Sequence, residues 1–422
     1  GFQETRDYAF NFADIDQIVP AKISVSFAAK SNNFTTSFSL SNNNSNIGTF
    51  NVGPIGNSDL ADYGRSTTGA ATITNPSDNI ALKLTYSRPD FDSKGWLDYL
   101  AIQVKRNLIY RGNPLIFRGA KSTNGATTKF NINGLTNNTE IWDITDVFNA
   151  KKVTTTNNAF KVVIDSLNQY VAFENTTLKP IGFGKINNQN LHGLGQKELI
   201  IITRNGLLTP AQELANFHAL KQGLSAVTVD IDQIFNEFSS GNNDVTAIRN
   251  FVKMFYDRAG SNPNLMPKYL ILFGDGSYNN RKLGDYLLPS YQSPFSLELL
   301  RTYTSDDYFG LLDDNEGANI DNTSTEKIDI AIGRIPADNL EKAQIAVAKI
   351  KSYMSADGFG DWRNTITFIA DDEDGILHVD AADGFAEKIK NDSKGVNIDK
   401  IYLDAFVQSA GAGGSAYTDV ND

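Results

Sequence analysis

The sequence predicts an all-β region followed by an α/β region built on a doubly wound, mainly parallel sheet. Two observations carry that prediction. The hydrophobic pattern changes near residue 195 from period-two alternation to strands alternating with amphipathic helices, and the charge balance changes with it. Residues 1–180 hold 17 basic and 15 acidic side chains (net +2), whereas residues 181–422 hold 21 and 34 (net −13).

The first region contains 23 Asn among residues 1–180. Runs such as "KISVSFAA", "FTTSFSL", "IALKLTY", "DYLAIQV" and "EIWDIT" alternate β-branched or aromatic with polar residues. Alternation broken by Asn and Gly clusters is the pattern of antiparallel strands with one face buried. A β-sandwich or jelly-roll-like domain over residues 1–185 follows.

The second region, 186–422, starts with "ELIIIT" (198–203), a continuous apolar run expected of a strand covered on both faces. "LTPAQELANFHALKQG" then predicts a helix with Thr209 as cap, Pro210 at the first position, Gln212 closing a capping box and Gly223 ending it. "SAVTVD" follows as a strand. Next comes a helix through Ile248, Phe251, Val252 and Phe255, then the strand "YLILF" (269–273). "IDIAIG" (328–333) predicts another strand, and after it a helix capped by Asp338 with the stripe Leu340, Ala343, Val347, Ile350 and Met354. "TITFIA" and "VNIDKIYLD" add two strands with a helix between them. Such alternation predicts a parallel α/β sheet, whose ligands sit beyond the carboxyl ends of the strands.

Composition bounds the function. The chain has 422 residues, enough for two or three domains, and no cysteine. That excludes disulfides, thiolate metal sites and a thiol nucleophile within these residues. No apolar run approaches the ~18 residues of a membrane helix, and the opening residues show no signal-peptide pattern. Neither half has a basic face, which argues against a nucleic-acid partner.

Acidic clusters stand at the predicted strand ends. "FGDGSYNN" (273–280) places Asp275 between glycines, either to cap a turn or to approach a ligand. It lacks the Lys-Ser/Thr of a phosphate loop. In "TSDDYFGLLDDNEGANID" (304–321) the spacing Asp313-x-Asn315-x-Gly317 with Asp321 resembles a calcium loop, although Ser324 stands at the twelfth position in place of a bidentate Glu. A solvated loop and a structural calcium both remain open there. In "FIADDEDGILH" (368–378) four carboxylates, Asp371 to Asp374, precede His378. The histidines, His192, His218 and His378, have no zinc-ligand spacing, and no Gly-x-Ser-x-Gly elbow is present.

At "YLILFGDGSYNN", "TSDDYFGLLDD", "IAIGRIPADN" and "WRNTITFIADDEDGILH" the chain resembles the gingipain family of cysteine peptidases, over roughly residues 265–405. "LIYRGNPLIFRG" and "IWDITDVFNAKKV" upstream fit the branch of that family that serves as cell-surface signal peptidase and sortase of the type IX secretion system of Bacteroidetes. The resemblance implies a caspase-like α/β sheet, incomplete at its C-terminus, carrying a Cys–His dyad. It implies that Glu373 orients the histidine of that dyad, and that Gly375, His378, Asp374 and Asp275 belong to the substrate pocket. Arginine-specific members carry an acid where Gly375 stands. The family's glycine-flanked histidine and its cysteine are absent; by pattern they are expected beyond Asp422, so the chain as given is expected to be inactive. The implied partners are a cargo protein with a C-terminal sorting domain, an anionic lipopolysaccharide acceptor and an outer-membrane barrel. The implied location is the bacterial cell surface, and no cofactor is required. Two rivals stand beside this reading: a metal-dependent hydrolase using Asp275, Asp306, Asp307 and the 371–374 cluster, and a non-catalytic surface module stiffened by calcium.

Overall fold

The computed structural model describes residues 4–119, 125–164, 166–174, 181–182, 184–280, 284–317, 326–371, 375–411 and 414–417. The chain divides into two compact units. The first takes residues 1–188 together with Gln292–Thr304, and the second takes most of the chain from Gln189 onward.

The first unit opens with seven strands: β1 (Thr5–Asn11), β2 (Ala21–Lys30), β3 (Thr36–Asn42), β4 (Ser45–Val52), β5 (Arg65–Ile73), β6 (Asn79–Ser87) and β7 (Lys94–Gln103). They form two antiparallel sheets, ordered β1-β6-β3-β4 and β5-β2-β7. On β2 the residues Ala21, Ile23, Val25, Phe27 and Ala29 are buried while Lys22 and Ser24 face out, which is the predicted alternation. Phe27 stacks on Phe38 of the facing sheet at 4.3 Å. The Asn clusters act as turns. Asn43 and Asn44, between β3 and β4, both take positive φ, as a two-residue type I′ hairpin requires.

A second β layer follows: β8 (Leu115–Arg118), β9 (Ala126–Asn131), β10 (Glu140–Asp143), β11 (Lys151–Val153), β12 (Ala159–Ile164) and β13 (Gln169–Phe173). Its sheet β11-β10-β13-β8 and its pair β12-β9 enclose a separate core around Phe117, Phe130, Phe160 and Tyr170. The β region therefore has two cores within one compact unit. Alternation reports that a face is buried, and it cannot report which sheet covers it.

In the second unit β14 (Leu199–Thr203), β15 (Ala226–Asp230), β16 (Tyr269–Phe273) and β21 (Ala331–Ile335) form a fully parallel sheet in the order β15-β14-β16-β21. Short strands β17 (Asp275–Ser277), β18 (Leu287–Pro289), β19 (Tyr291–Gln292) and β20 (Thr304–Ser305) come between β16 and β21 in sequence and pair among themselves. Odd-numbered residues of the sheet, among them Leu199, Ile201 and Phe273, pack with α1 (Leu208–Gln222) and α4 (Leu340–Tyr353). Even-numbered residues Ile200, Ile202, Leu270 and Leu272 are also buried. On α2 (Ile231–Phe238) and α3 (Val245–Ala259), Ile234, Phe235, Ile248, Phe251, Val252 and Phe255 are buried. Each such side chain contributes ~1.5–3 kcal/mol by leaving water.

Three local expectations are corrected. The first helix starts at Leu208, continuing a 3-10 turn over Asn205–Leu207, so Thr209 and Pro210 lie inside it and Thr209 caps nothing; Gly223 does end it, in the left-handed conformation. The fourth helix is capped by Asn339, which accepts from the Lys342 N–H, while Asp338 pairs with the Lys342 ammonium. The strand expected at 328–333 runs from 331 to 335. One further difference is architectural. β22 (Thr365–Ala370) and β23 (Asn397–Tyr402), with α5 (Leu377–Asp392) between them, form their own parallel pair and do not extend the four-stranded sheet.

Candidate active-site region

The switch point of the four-stranded sheet lies between β14 and β16, where the strand order reverses and a ligand is expected. The chain fills that crevice itself. A side chain at Gly206 would meet the Tyr286 ring at 2.7 Å, and one at Gly274 would meet the Tyr286 carbonyl at 2.8 Å. The Arg204 guanidinium, mostly buried, donates to the Leu287 carbonyl at 2.9 Å and to Asp232 at 3.0 Å. Asn280 and Ser290 close the loop with two mutual hydrogen bonds of 2.8 and 3.2 Å. Asp275, half-buried, turns its carboxylate back onto the Gly276 N–H at 2.8 Å. The glycines of "FGDGSYNN" thus serve close backbone approach.

The acidic stretch 305–317 is held by protein groups. Arg334, on β21, makes a bidentate pair with Asp306 at 2.8 and 2.7 Å, and donates to the carbonyls of Gly274 and Pro289. From α3, three side chains at helical spacing reach the loop. Arg249 donates to the carbonyls of Leu311, Asp313 and Glu316. Lys253 pairs with Asp314 at 3.0 Å and donates to the Leu312 carbonyl. The Tyr256 hydroxyl donates to Asp313 at 3.0 Å and to Asp329 at 3.3 Å. Burial, and then the Asp313 carboxylate it donates to, push the Tyr256 phenol far above its usual range. Of the residues expected to hold calcium, Asp313 is engaged in this way, Asn315 is exposed and Asp321 lies outside the described residues. Among the described residues no group of three or more His, Asp or Glu is placed to hold a metal ion. With Asp306 committed to Arg334, the two-metal hydrolase loses one of its intended ligands.

The stretch 371–378 is different. It follows β22 and leads into α5. Asp371 and His378 are exposed, their side chains 61% and 68% accessible, with His378 Nδ1 3.7 Å from Asp371 Oδ1. Gly375 and Ile376 take consecutive left-handed conformations, φ 68° and 64°. Glycine does so without strain, whereas a β-branched residue does so at a cost of ~1–2 kcal/mol. Ile376 is the N-cap of α5 and offers no side-chain cap. Glu373 and Asp374 lie outside the described residues. Among the residues expected to form the substrate pocket, the structure places Gly375 just before α5 and His378 in its first turn, and it places Asp275 at the start of β17, in the two-stranded sheet β17-β18. Arg334 and Arg249, which hold the acidic loop, were not singled out in the sequence. Their only signal was a cation inside "IAIGRIPADN" and one on the apolar helix.

The second unit is thus a parallel α/β sheet followed by a strand pair whose connection carries an acidic sequence and then a helix bearing His378. Residues 192–422 match Peptidase family C25, and the chain belongs to that family of cysteine peptidases. The solved structure of dimeric latent PorU from Porphyromonas gingivalis is similar to it at 28% identity and a TM-score of 0.73, covering 85% of this chain and 36% of that one. The chain thus spans about a third of that relative's length. The Arg-specific cysteine proteinase gingipain R is a looser likeness, with 16% identity and a TM-score of 0.35, covering 50% of this chain and 44% of that one. No curated protein matches the chain.

Proposed function

We propose that the chain is the β region and the first part of the peptidase region of a PorU-like cysteine endopeptidase with sortase-like transpeptidase activity. The observation that carries this reading is the likeness to PorU over 85% of the chain, on both its β and its α/β parts. These residues contain no cysteine and cover 36% of PorU, and on this reading the dyad is supplied by polypeptide outside them. The thiolate attacks the carbonyl carbon of the peptide bond before the cargo's C-terminal sorting domain. The tetrahedral intermediate collapses, and the sorting domain leaves as an amine that takes its proton from the imidazolium. Water, or an amine of an anionic lipopolysaccharide, then attacks the thioester and releases the cargo as an acid or an amide. Glu373 holds the imidazole in the productive tautomer. The setting is the outer surface of a Bacteroidetes outer membrane, with a PorV-like barrel as docking partner.

The chemistry uses thiol, imidazole and carboxylate, and needs no cofactor. A calcium ion in the 304–321 loop is a separate, structural proposal. Calcium bound to the folded state alone raises the melting temperature, and an equal melt in millimolar calcium and in chelator rejects it. For specificity, a buried guanidinium needs a matched carboxylate. Gly375 offers none, so simple Arg peptides should be poor substrates and docking of the sorting domain should supply the selectivity.

The test is Glu373→Gln in the full-length protein. Turnover should fall ~10- to 10⁴-fold through loss of imidazole orientation, with the melting temperature unchanged. Wild-type turnover would end the assignment.

A further inference from the structure

The two β cores of the first unit share no sheet among the described residues: β1 to β7 pair only with one another, and so do β8 to β13. The chain passes between them through residues 104–111, "VKRNLIYR", which belong to no strand. The first half of this passage is held by the first core. The Asp16 N–H donates to the Lys105 carbonyl and the Asn107 N–H to the Asp14 carbonyl, each at 2.8 Å, and Val104 and Ile15 pack into that core. The second half is held by the other core. The Tyr110 N–H donates to the Asn133 carbonyl at 2.8 Å and the Asn133 N–H to the Leu108 carbonyl at 2.9 Å, while Leu108 and Tyr110 pack into the core that holds Phe130. A side chain at Gly134 would lie 2.4 Å from the Tyr110 carbonyl oxygen, so this contact is tight.

The attachment changes from one core to the other between Asn107 and Leu108, and an ion pair reaches back across that point. Arg111, on the side of the second core, meets Asp14, in the β1–β2 loop of the first, through bonds of 3.1 and 2.5 Å. The Asp14 side chain is only 13% exposed. The hydrogen bond from Arg111 holds its carboxyl below the usual carboxylate range. The charged groups facing Asp14 are Arg111 and Arg106, with Asp78 near Arg111. Arg106 is tied to the Ala13 carbonyl, and Lys105 pairs with Asp16 at 2.6 Å, both on the side of the first core, so neither spans the change-over.

We propose that Asn107–Leu108 is a hinge between the two β cores, that the Arg111–Asp14 pair is its clamp, and that acid opens it. Without the clamp the passage keeps two soft dihedrals per residue at the change-over; with it, a bidentate, charge-assisted contact fixes the angle between the cores. The sign follows from the depressed carboxyl. Its contribution is complete above the ordinary carboxylate range and is lost as pH falls through the folded value. Each core keeps its own sheets and its own hydrophobic cluster, so opening moves the cores as bodies and unfolds neither. The proposal does not depend on the nucleophile, so it stands or falls separately from the peptidase reading.

The experiment uses the full-length protein with spin-labelled unnatural residues at Thr72 on the first core and Lys161 on the second, both exposed. Pulsed electron resonance reads the distance between them. The wild type should give one narrow distribution at neutral pH and a broad one at pH ~2.5, past the carboxylate range. Arg111→Met and Asp14→Asn should be broad already at neutral pH, the open fraction rising ~3- to 10-fold, as loss of a partly exposed pair allows. Asn tolerates the left-handed conformation that Asp14 holds, φ 64°, so that variant keeps the backbone as it is. A label pair within the first core, Thr72 with Lys83, should stay narrow throughout. The wild-type acid titration needs no variant, so a variant that fails to fold leaves a decisive measurement. A distribution as narrow in Arg111→Met as in the wild type overturns the proposal. So does an acid transition that Asp14→Asn leaves unchanged, which places the switch on another group, and so does broadening of the Thr72–Lys83 pair, which is unfolding of the core.

Discussion

The stretches 305–317 and 371–378 are both acidic, both follow strands, and behave in opposite ways. In the first, Asp306 meets Arg334, Asp313 meets Tyr256 and Asp314 meets Lys253, while Arg249 ties three backbone carbonyls. In the second, the described side chains of Asp371 and His378 are largely exposed and 3.7 Å apart. The difference teaches that an acid cluster says little by itself. A helix stripe of donors facing it makes it structural, whereas Asp371, the one described carboxylate of the second stretch, is largely exposed.

The largest expected effect breaks the first stretch. Arg334→Met leaves Asp306, mostly buried, without its bidentate partner. Removing one member of a buried pair costs ~3–5 kcal/mol. Asp306 keeps some contact with water, so we expect the lower end, measured as a lower urea midpoint. An unchanged midpoint would make this pair as weak as a surface bridge, and the contrast between the stretches would fail.

Next in size is a carboxylate that applies the same rule outside both stretches. Glu237 accepts from the Leu191 and His192 N–H groups, from Gln189 and from His192 Nδ1 at 2.7 Å. Burial works against its charge, yet these hydrogen bonds win and hold its carboxyl at about 2. Its folded value is depressed, so its stabilisation is complete above the ordinary carboxylate range and is lost as pH falls from there toward about 2. Glu237→Gln should cost ~1.5–3 kcal/mol at neutral pH and flatten the acid limb of the stability profile. An acid limb identical to wild type would remove Glu237 from the account. A smaller loss, ~1–2 kcal/mol, is expected for Tyr256→Phe, which removes the donor to Asp313 and Asp329, read by the same denaturation.

What could be read beforehand follows from the range of the interaction. Strands and the α3 stripe are local patterns, and Ile248, Phe251, Val252 and Phe255 are buried as the spacing required. The cap at Thr209 failed because the chain enters α1 through a 3-10 turn, a backbone event with no side-chain signature. The partition of strands between two sheets was hidden because β21 and β22 each look like one more α/β strand. Arg334 and Asp306 are 28 residues apart, and Arg249 and the Leu311 carbonyl 62. No periodicity links residues at that distance. The family resemblance supplied Glu373, which lies outside the described residues, so its role rests on the proposed substitution.

The smallest effect sharpens the comparison from the other side. Asp371 has no described cation beside it, and its imidazole neighbour is 3.7 Å away, beyond hydrogen-bond range. Exposed pairs of this kind contribute ~0–1 kcal/mol. Asp371→Asn and His378→Ala should each therefore leave stability within ~0.5 kcal/mol of wild type, in the same denaturation that exposes Arg334→Met. If either substitution instead cost as much as Tyr256→Phe, the 371–378 connection would be holding the fold in the manner of 305–317. The reason for treating its carboxylates as available for catalysis would then be gone. Neutrality in both would fit the proposed catalytic role of this connection, because a group that supports the fold and a group that orients an imidazole are told apart by where the energy appears: in denaturation for the one, in turnover for the other.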